Sequence, residues 1–180
     1  MKNMNRAIRL MISATLILVL GPVALAQPLS EEVRAMAVRW LFTDCGLGSS
    51  LRGDLRKAAS PALESFFLDA LHSGPDSGQI SQLEPAAGRR YEQRQQALKR
   101  PQSLGLSPQD LEQARKVTRE DFIAQEKKDF DLRFRSQAIS GLAITGGTKA
   151  KAELQKVSKD EKSPLRTSAQ QALAELQPRK

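Results

Sequence analysis

One short unit, written twice near the C-terminal end, constrains this chain more than any other feature. The unit is Arg, two residues, Ala, three residues, Leu. It occurs as Arg135, Ala138, Leu142 and again as Arg166, Ala169, Leu173. Residues at i+3 and i+7 share one side of a helix with residue i. The two arginines lie 31 positions apart, a period typical of stacked helical repeats. Between the copies come a Gly146-Gly147 break, a second helical pattern through Leu154, an acid at Asp160 and Ser163-Pro164. A helix pair of this kind cannot bury its apolar face alone, so the spacing demands an all-α chain of packed helices.

The remaining punctuation agrees. Ser60-Pro61, Ser107-Pro108 and Ser163-Pro164 each offer an N-cap side chain before a proline at the first helical position. Proline is harmless there because its missing N–H would have had no partner. Ser30 precedes two glutamates that suit the positive end of a helix. Ser107 to Asp110 and Thr118 to Asp121 read as capping boxes with Asp in place of Glu. Gly146 is placed to end a helix in the left-handed conformation, and Thr148 to cap the next. Val33, Met36, Ala37, Trp40 and Leu41 form one apolar stripe, widened by Val38 as expected of a helix covered on two sides; Leu63, Phe66, Phe67, Ala70 and Leu71 form another. A longer stripe of Phe122, Phe130, Phe134, Ala138 and Leu142 fits a single helix from Arg119 to Thr145. Gly74, Pro75 and Gly78 mark one loop, and Pro101 to Ser107 another. No segment alternates with period two, so no strand is expected.

The first 26 residues stand apart. Lys2, Arg6 and Arg9 precede an uncharged apolar run from Leu10 to Leu20; Gly21-Pro22 breaks it, and Ala24-Leu25-Ala26 supplies small residues for cleavage. This is the pattern of a secretory signal peptide, cut after Ala26. The rival reading is an uncleaved anchor, for which the run is short and interrupted. The rest, Gln27 to Lys180, is one domain's length, and its formal charge is +5 against +8 for the whole chain. The excess falls in the last third, with 9 basic and 4 acidic residues from Phe134 onward. Such a tilt favours acidic partners or marks a solvated helical surface. Cys45 is the only cysteine, so the chain holds no internal disulfide; its thiol is either a small buried apolar group or a link between two chains.

Arg34, Ala37 and Leu41 repeat the unit fully, and Arg94 and Ala97 in part, with Pro101 at the Leu position. Together with the C-terminal stretch Phe134 to Leu176, this resembles the HEAT-repeat family, in the short form also found in phycobilisome lyases. Arg135, Ala138, Ile139, Gly146, Leu154, Asp160, Pro164 and Arg166 match its pattern in order. The resemblance implies a short α-solenoid of antiparallel helix pairs, with Ser49 to Ala59 as a lengthened turn and an irregular middle from Gln79 to Arg133. It also implies that the arginines bond nearby carbonyls or an acid such as Asp160. The alternative architecture is an irregular helical bundle with one true repeat pair at its end.

No catalytic or metal-binding constellation accompanies this architecture. His72 is the only histidine and has only Cys45 to join it, too little for a zinc site. There is no nucleophile elbow, phosphate loop or dinucleotide fingerprint. Lys149, Glu153, Lys156 and Asp160 alternate in sign along a helix face, and no aromatic follows Phe134; nucleic-acid binders instead show one-sign stripes with aromatic platforms. No cofactor is expected. The reading that follows is an exported, non-enzymatic protein mediating protein–protein interaction in the bacterial periplasm. Its partner would be an envelope protein, with no nucleic acid and no stable membrane insertion after cleavage. The alternatives are a lyase-like, cofactor-handling enzyme and a binder of anionic envelope polymer or lipid. By resemblance, the second helix of each pair would line the concave side. That points to a partner face of Glu64, Leu68 and His72 on one row, with Lys149 and Lys156 beside it. Leu68 is either a surface anchor there or is covered by Ser49 to Ala59 or the next helix. Mass spectrometry of the exported product checks the N-terminal assignment. A mature start at Gln27 is expected, whereas a Met1 start in the membrane fraction would make the segment an anchor.

Overall fold

A computed structural model describes residues 28–43, 48–100 and 105–176. The signal-peptide assignment and Cys45 both lie outside the described residues. All the regular structure in them is helical: α1 Glu31–Leu41, α2 Gly48–Lys57, α3 Pro61–Ser73, α4 Ser77–Ala97, α5 Pro108–Lys116, α6 Arg119–Thr145, α7 Thr148–Lys159 and α8 Arg166–Leu176. No described helix is long and apolar enough to cross a membrane.

Helix starts follow the local chemistry closely. Ser30, Ser60, Ser107 and Thr118 each accept a backbone N–H three residues on. In the two Asp-containing boxes the carboxylate bonds the cap's hydroxyl, and no reciprocal box forms. Asp110 and Asp121 accept the Ser107 and Thr118 hydroxyls at 2.6 and 2.8 Å. The reciprocal box sits elsewhere: Asp76 and Gln79 exchange side-chain to backbone bonds of 2.8 and 2.9 Å. This places Gly78 inside α4, not in the loop expected from Gly74 to Gly78. Ser163 also differs: its hydroxyl accepts from Leu165, and the helix proper begins at Arg166.

Two further expectations need correction. The segment Ser49 to Ala59 is no simple turn but contains most of α2, whose Leu55 is fully buried in the main core. Val38 is not covered on two sides; it is 38% exposed.

The packing centres on α6, which touches α1, α2, α3, α4, α7 and α8. Its two halves differ. From Phe134 to Ile144 it is buried nearly all round, with Phe134, Ala138, Ile139, Gly141, Leu142, Ala143 and Ile144 all in the interior. There it meets Trp40 and Leu41 of α1, Leu63, Phe67 and Leu71 of α3, Leu154 of α7 and Ala169 of α8 in one core. From Arg119 to Phe130 it packs chiefly on α4, through the smaller buried set of Ala87, Gly88 and Ile123. The Arg90–Glu126 and Lys127–Glu84 pairs border that contact, at 2.5 and 3.2 Å.

Close approach explains Gly141. A Cβ there would lie 2.5 Å from the Phe67 ring, so its absence lets that fully buried ring lie against the α6 backbone. Burial of a side chain this size contributes about 1.5–3 kcal/mol. The end of α1 is clipped to the interior of α6 as well: Trp40 Nε1 donates to the Gln137 carbonyl at 2.9 Å, and Gln137 Nε2 donates to the Thr43 carbonyl at 2.7 Å.

The two repeated arginines have different surroundings. Arg135 Nη1 donates to the Leu71 and His72 carbonyls, closing the C-terminus of α3, while its Nε meets both Asp131 oxygens at 2.9 Å. Bonding to nearby carbonyls is thus what Arg135 does. Arg166 Nε is buried with no partner among the described residues, and Asp160 accepts the Lys162 N–H instead.

The start of α7 is the most informative local feature. Gly146 ends α6 in the left-handed region, at φ 65°, as expected. Thr148 does not cap α7: the N-cap is Gly147, which has no side chain to offer. The acceptor comes from α3. Glu64 Oε1 takes the Ala150 N–H at 2.5 Å, and Glu64 is only 7% exposed. A carboxylate at a helix N-terminus satisfies an otherwise orphaned donor and the positive end of the helix dipole. Gly147 makes room for it, since a Cβ there would overlap the Glu64 carboxylate.

This arrangement generates a double-mutant test. Gly147→Ala should cost about 1–2 kcal/mol, the scale of a lost cap, by displacing the Glu64 carboxylate. Glu64→Ala should cost about 1–3 kcal/mol by leaving the Ala150 N–H unpaired. Gly147 has φ −71°, which alanine adopts without strain. In the Glu64→Ala background, Gly147→Ala should therefore be neutral or stabilise by about 0.4–1 kcal/mol. Denaturant unfolding of the four proteins checks this; an equal cost of Gly147→Ala in both backgrounds would contradict the account.

Candidate functional site

The predicted partner face divides into an inside and an outside. Glu64 is buried and committed to capping α7, so it is not part of an open surface. Leu68 is half-buried and packs against the main core. For Glu64 this corrects the expectation of an open partner face, and for Leu68 it favours the alternative that the residue is covered. His72, Lys149 and Lys156 are exposed. The structure brings His72 to α7, with Nε2 3.7 Å from Glu153 Oε1, and the same oxygen lies 3.4 Å from Lys156 Nζ. His72, Glu153 and Lys156 therefore form one small polar cluster across α3 and α7. Pairs this exposed contribute little, about 0–1 kcal/mol. No group of three or more His, Cys, Asp or Glu residues among those described could hold a metal ion.

A larger concavity lies elsewhere. A groove of about 950 Å³ runs along α6 between α4 and the C-terminal end of α1, reaching Gln171 of α8. Its apolar part is aromatic. Phe42, just past the end of α1, has its ring 6.1 Å from Phe130 in a stacked pair and 5.7 Å from Phe134 edge-on. Phe130 and Phe134 themselves lie 6.5 Å apart. Phe42 remains 44% exposed, the most exposed large apolar residue among those described. A ring this open, held by two others, presents a rigid apolar edge to the surroundings.

The polar part of the groove is balanced in charge. Arg90 and Glu126 pair across it, Asp129 accepts from Gln125 at 2.8 Å, and Arg133 is exposed. Ser136 shares a 2.9 Å hydrogen bond with Ser168 of α8, and Gln137 holds the Thr43 carbonyl. These bonds fix the walls to the same helix that forms the core. The arrangement has no nucleophile paired with a base. What it offers is an exposed aromatic edge surrounded by polar groups.

A second, smaller hollow continues on the other side of Phe42. About 460 Å³ lies between α1 and α2, lined by Met36, Arg39, Phe42, Thr43, Leu51 and Asp54 among others. Phe42 and Thr43 form the ridge between the two hollows. Sequence reasoning missed this ridge because Phe42 falls one residue beyond the α1 stripe. The available signal was an aromatic at Phe42 in addition to an already complete stripe.

No protein-family model, no curated protein and no solved structure matches this chain.

Proposed function

We propose that this chain is an exported, non-enzymatic helical-repeat protein that mediates protein–protein interaction in the bacterial periplasm. The observation that carries the reading is Phe42, 44% exposed yet packed against Phe130 and Phe134 at a groove wall. An apolar edge held rigid at the surface loses little freedom on binding, which favours recognition of an apolar side chain on a partner. The repeat reading is supported by α6, α7 and α8, where Ala138, Ala150 and Ala169 are fully buried at helix contacts. In that reading these three helices are the repeat-like part of a short solenoid, and α1 to α5 are its irregular elaboration. The N-terminal segment supports export through its basic start, apolar run and small residues at Ala24 and Ala26.

Site-specific cross-linking tests the interaction surface. A photoreactive phenylalanine analogue at Phe42 should give one discrete adduct in intact cells, and the same probe at exposed Arg56 of α2 should not. Arg133→Glu in the Phe42-probe protein should reduce the adduct several-fold without changing the melting temperature. Equal labelling from Phe42 and Arg56, or an adduct indifferent to Arg133→Glu, would remove the groove as the docking surface.

A further inference from the structure

The far end of the α4–α6 pair has a chemistry unlike the groove. A hollow of about 530 Å³ lies between the end of α4 and α5; Ala97, Leu98, Leu106, Ala114 and Val117 form its apolar wall, and Arg94, Asp110 and Gln113 its polar part. Arg94 is held there over the Phe122 ring, 5.6 Å from its centre. Leu106 is 42% exposed. The short helix α5 has no buried residue, although Leu111 and Ala114 share one of its faces. Among the described residues, this end therefore presents apolar surface at Leu106 and along α5.

The same end is basic. From Arg89 to Asp121 the chain carries eight basic and five acidic residues; Arg90 is committed to Glu126 at the groove, which leaves seven basic residues against the five acids. Two of the acids, Asp110 and Asp121, are hydrogen-bonded at the N-termini of α5 and α6, where the helix dipole offsets their charge. Glu112 is paired with Lys116 at 2.7 Å. Lys99 and Arg115 are exposed. Uncovered apolar surface among cations is the complement of an anionic amphiphile: the apolar part suits acyl chains and the cations suit phosphates.

We propose that this end of the molecule docks on the surface of an anionic lipid bilayer. Leu106 and the Leu111/Ala114 face of α5 enter the headgroup layer, while Arg94, Lys99 and Arg115 meet lipid phosphates. A soluble polyanion would satisfy the cations but leave Leu106 and the hollow in water, so a bilayer is the better complement. The site is separate from the Phe42 groove and does not rest on it.

Vesicle co-sedimentation tests the proposal. The protein used begins at Gln27, so that the Leu10–Leu20 run contributes nothing; the whole described core lies beyond that point. It should pellet with vesicles containing phosphatidylglycerol and not with phosphatidylcholine alone, and the bound fraction should fall several-fold as salt is raised. Leu106→Ser and the double variant Lys99→Glu/Arg115→Glu should each lose several-fold in binding at an unchanged melting temperature. Lys151→Glu/Lys159→Glu, at exposed positions of α7, should bind as wild type does. Failure to pellet with phosphatidylglycerol, or equal pelleting with phosphatidylcholine, would overturn the proposal. So would a Leu106→Ser protein that binds normally and is fully displaced by polyglutamate, which would mark a polyanion site. Loss of binding only in the α7 variant would place the contact at the other end and overturn it equally.

Discussion

The C-terminal half of α6 has almost no solvent side. A helix turned toward water on one face tolerates polar residues there, but Phe134, Ala138, Ile139, Gly141, Leu142, Ala143 and Ile144 are all interior. Such a segment is stable only when other helices enclose it, because lining residues left without neighbours forfeit both hydrophobic burial and dispersion contacts. The rest of the chain supplies that enclosure. Phe67 of α3 lies on Gly141, Trp40 of α1 bonds the Gln137 carbonyl, and α7 and α8 cover the remaining sides. Residues nearly a hundred positions apart therefore meet at one helix, so α6 ties the two ends of the described chain together.

Polar contacts fix the register of that packing. Arg135 reaches from α6 to close the C-terminus of α3, and Glu64 reaches from α3 to open α7. Both use helix ends, where backbone groups lack partners of their own. The consequence is a chain of dependence, α6 to α3 to α7, running through two charged side chains. It also explains why Glu64 is absent from the molecular surface although its neighbours His72 and Lys156 are present there. Two open regions lie along α6: the Phe42 ridge, beside Phe130 and Phe134, and the basic end carrying α5, which α6 reaches through Phe122 under Arg94.

What the sequence made legible was local. The Ser60-Pro61 and Ser107-Pro108 caps, the Gly146 ending and the single helix from Arg119 to Thr145 each depend on neighbours within a turn or two, and each stands where the spacing put it, whereas Ser163-Pro164 precedes the helix start by a further turn. The misses are non-local or short on pattern. α2 reads G-S-S-L-R-G-D-L-R-K, mostly polar and containing Gly53, so its two leucines gave no period to recognise. The Asp76–Gln79 box hid behind Gly74, Pro75 and Gly78, which read as loop. Thr148 was the obvious cap for α7, but the acceptor actually used lies 86 positions earlier. For the candidate site, the Phe42–Phe130 contact joins two elements that no local pattern connects.

Native-state hydrogen exchange, resolved by residue, tests most directly whether α6 is the element that unites this fold. The account predicts that amides from Phe134 to Thr145 exchange slowest, and that the central amides of α3, α7 and α8 open with the same free energy as α6, as one cooperative unit. The opposite result would be an α7–α8 pair that opens at clearly lower free energy while α1, α3 and α6 stay protected. That would describe a repeat stacked on its neighbour and independent of it, and would contradict the central role given to α6.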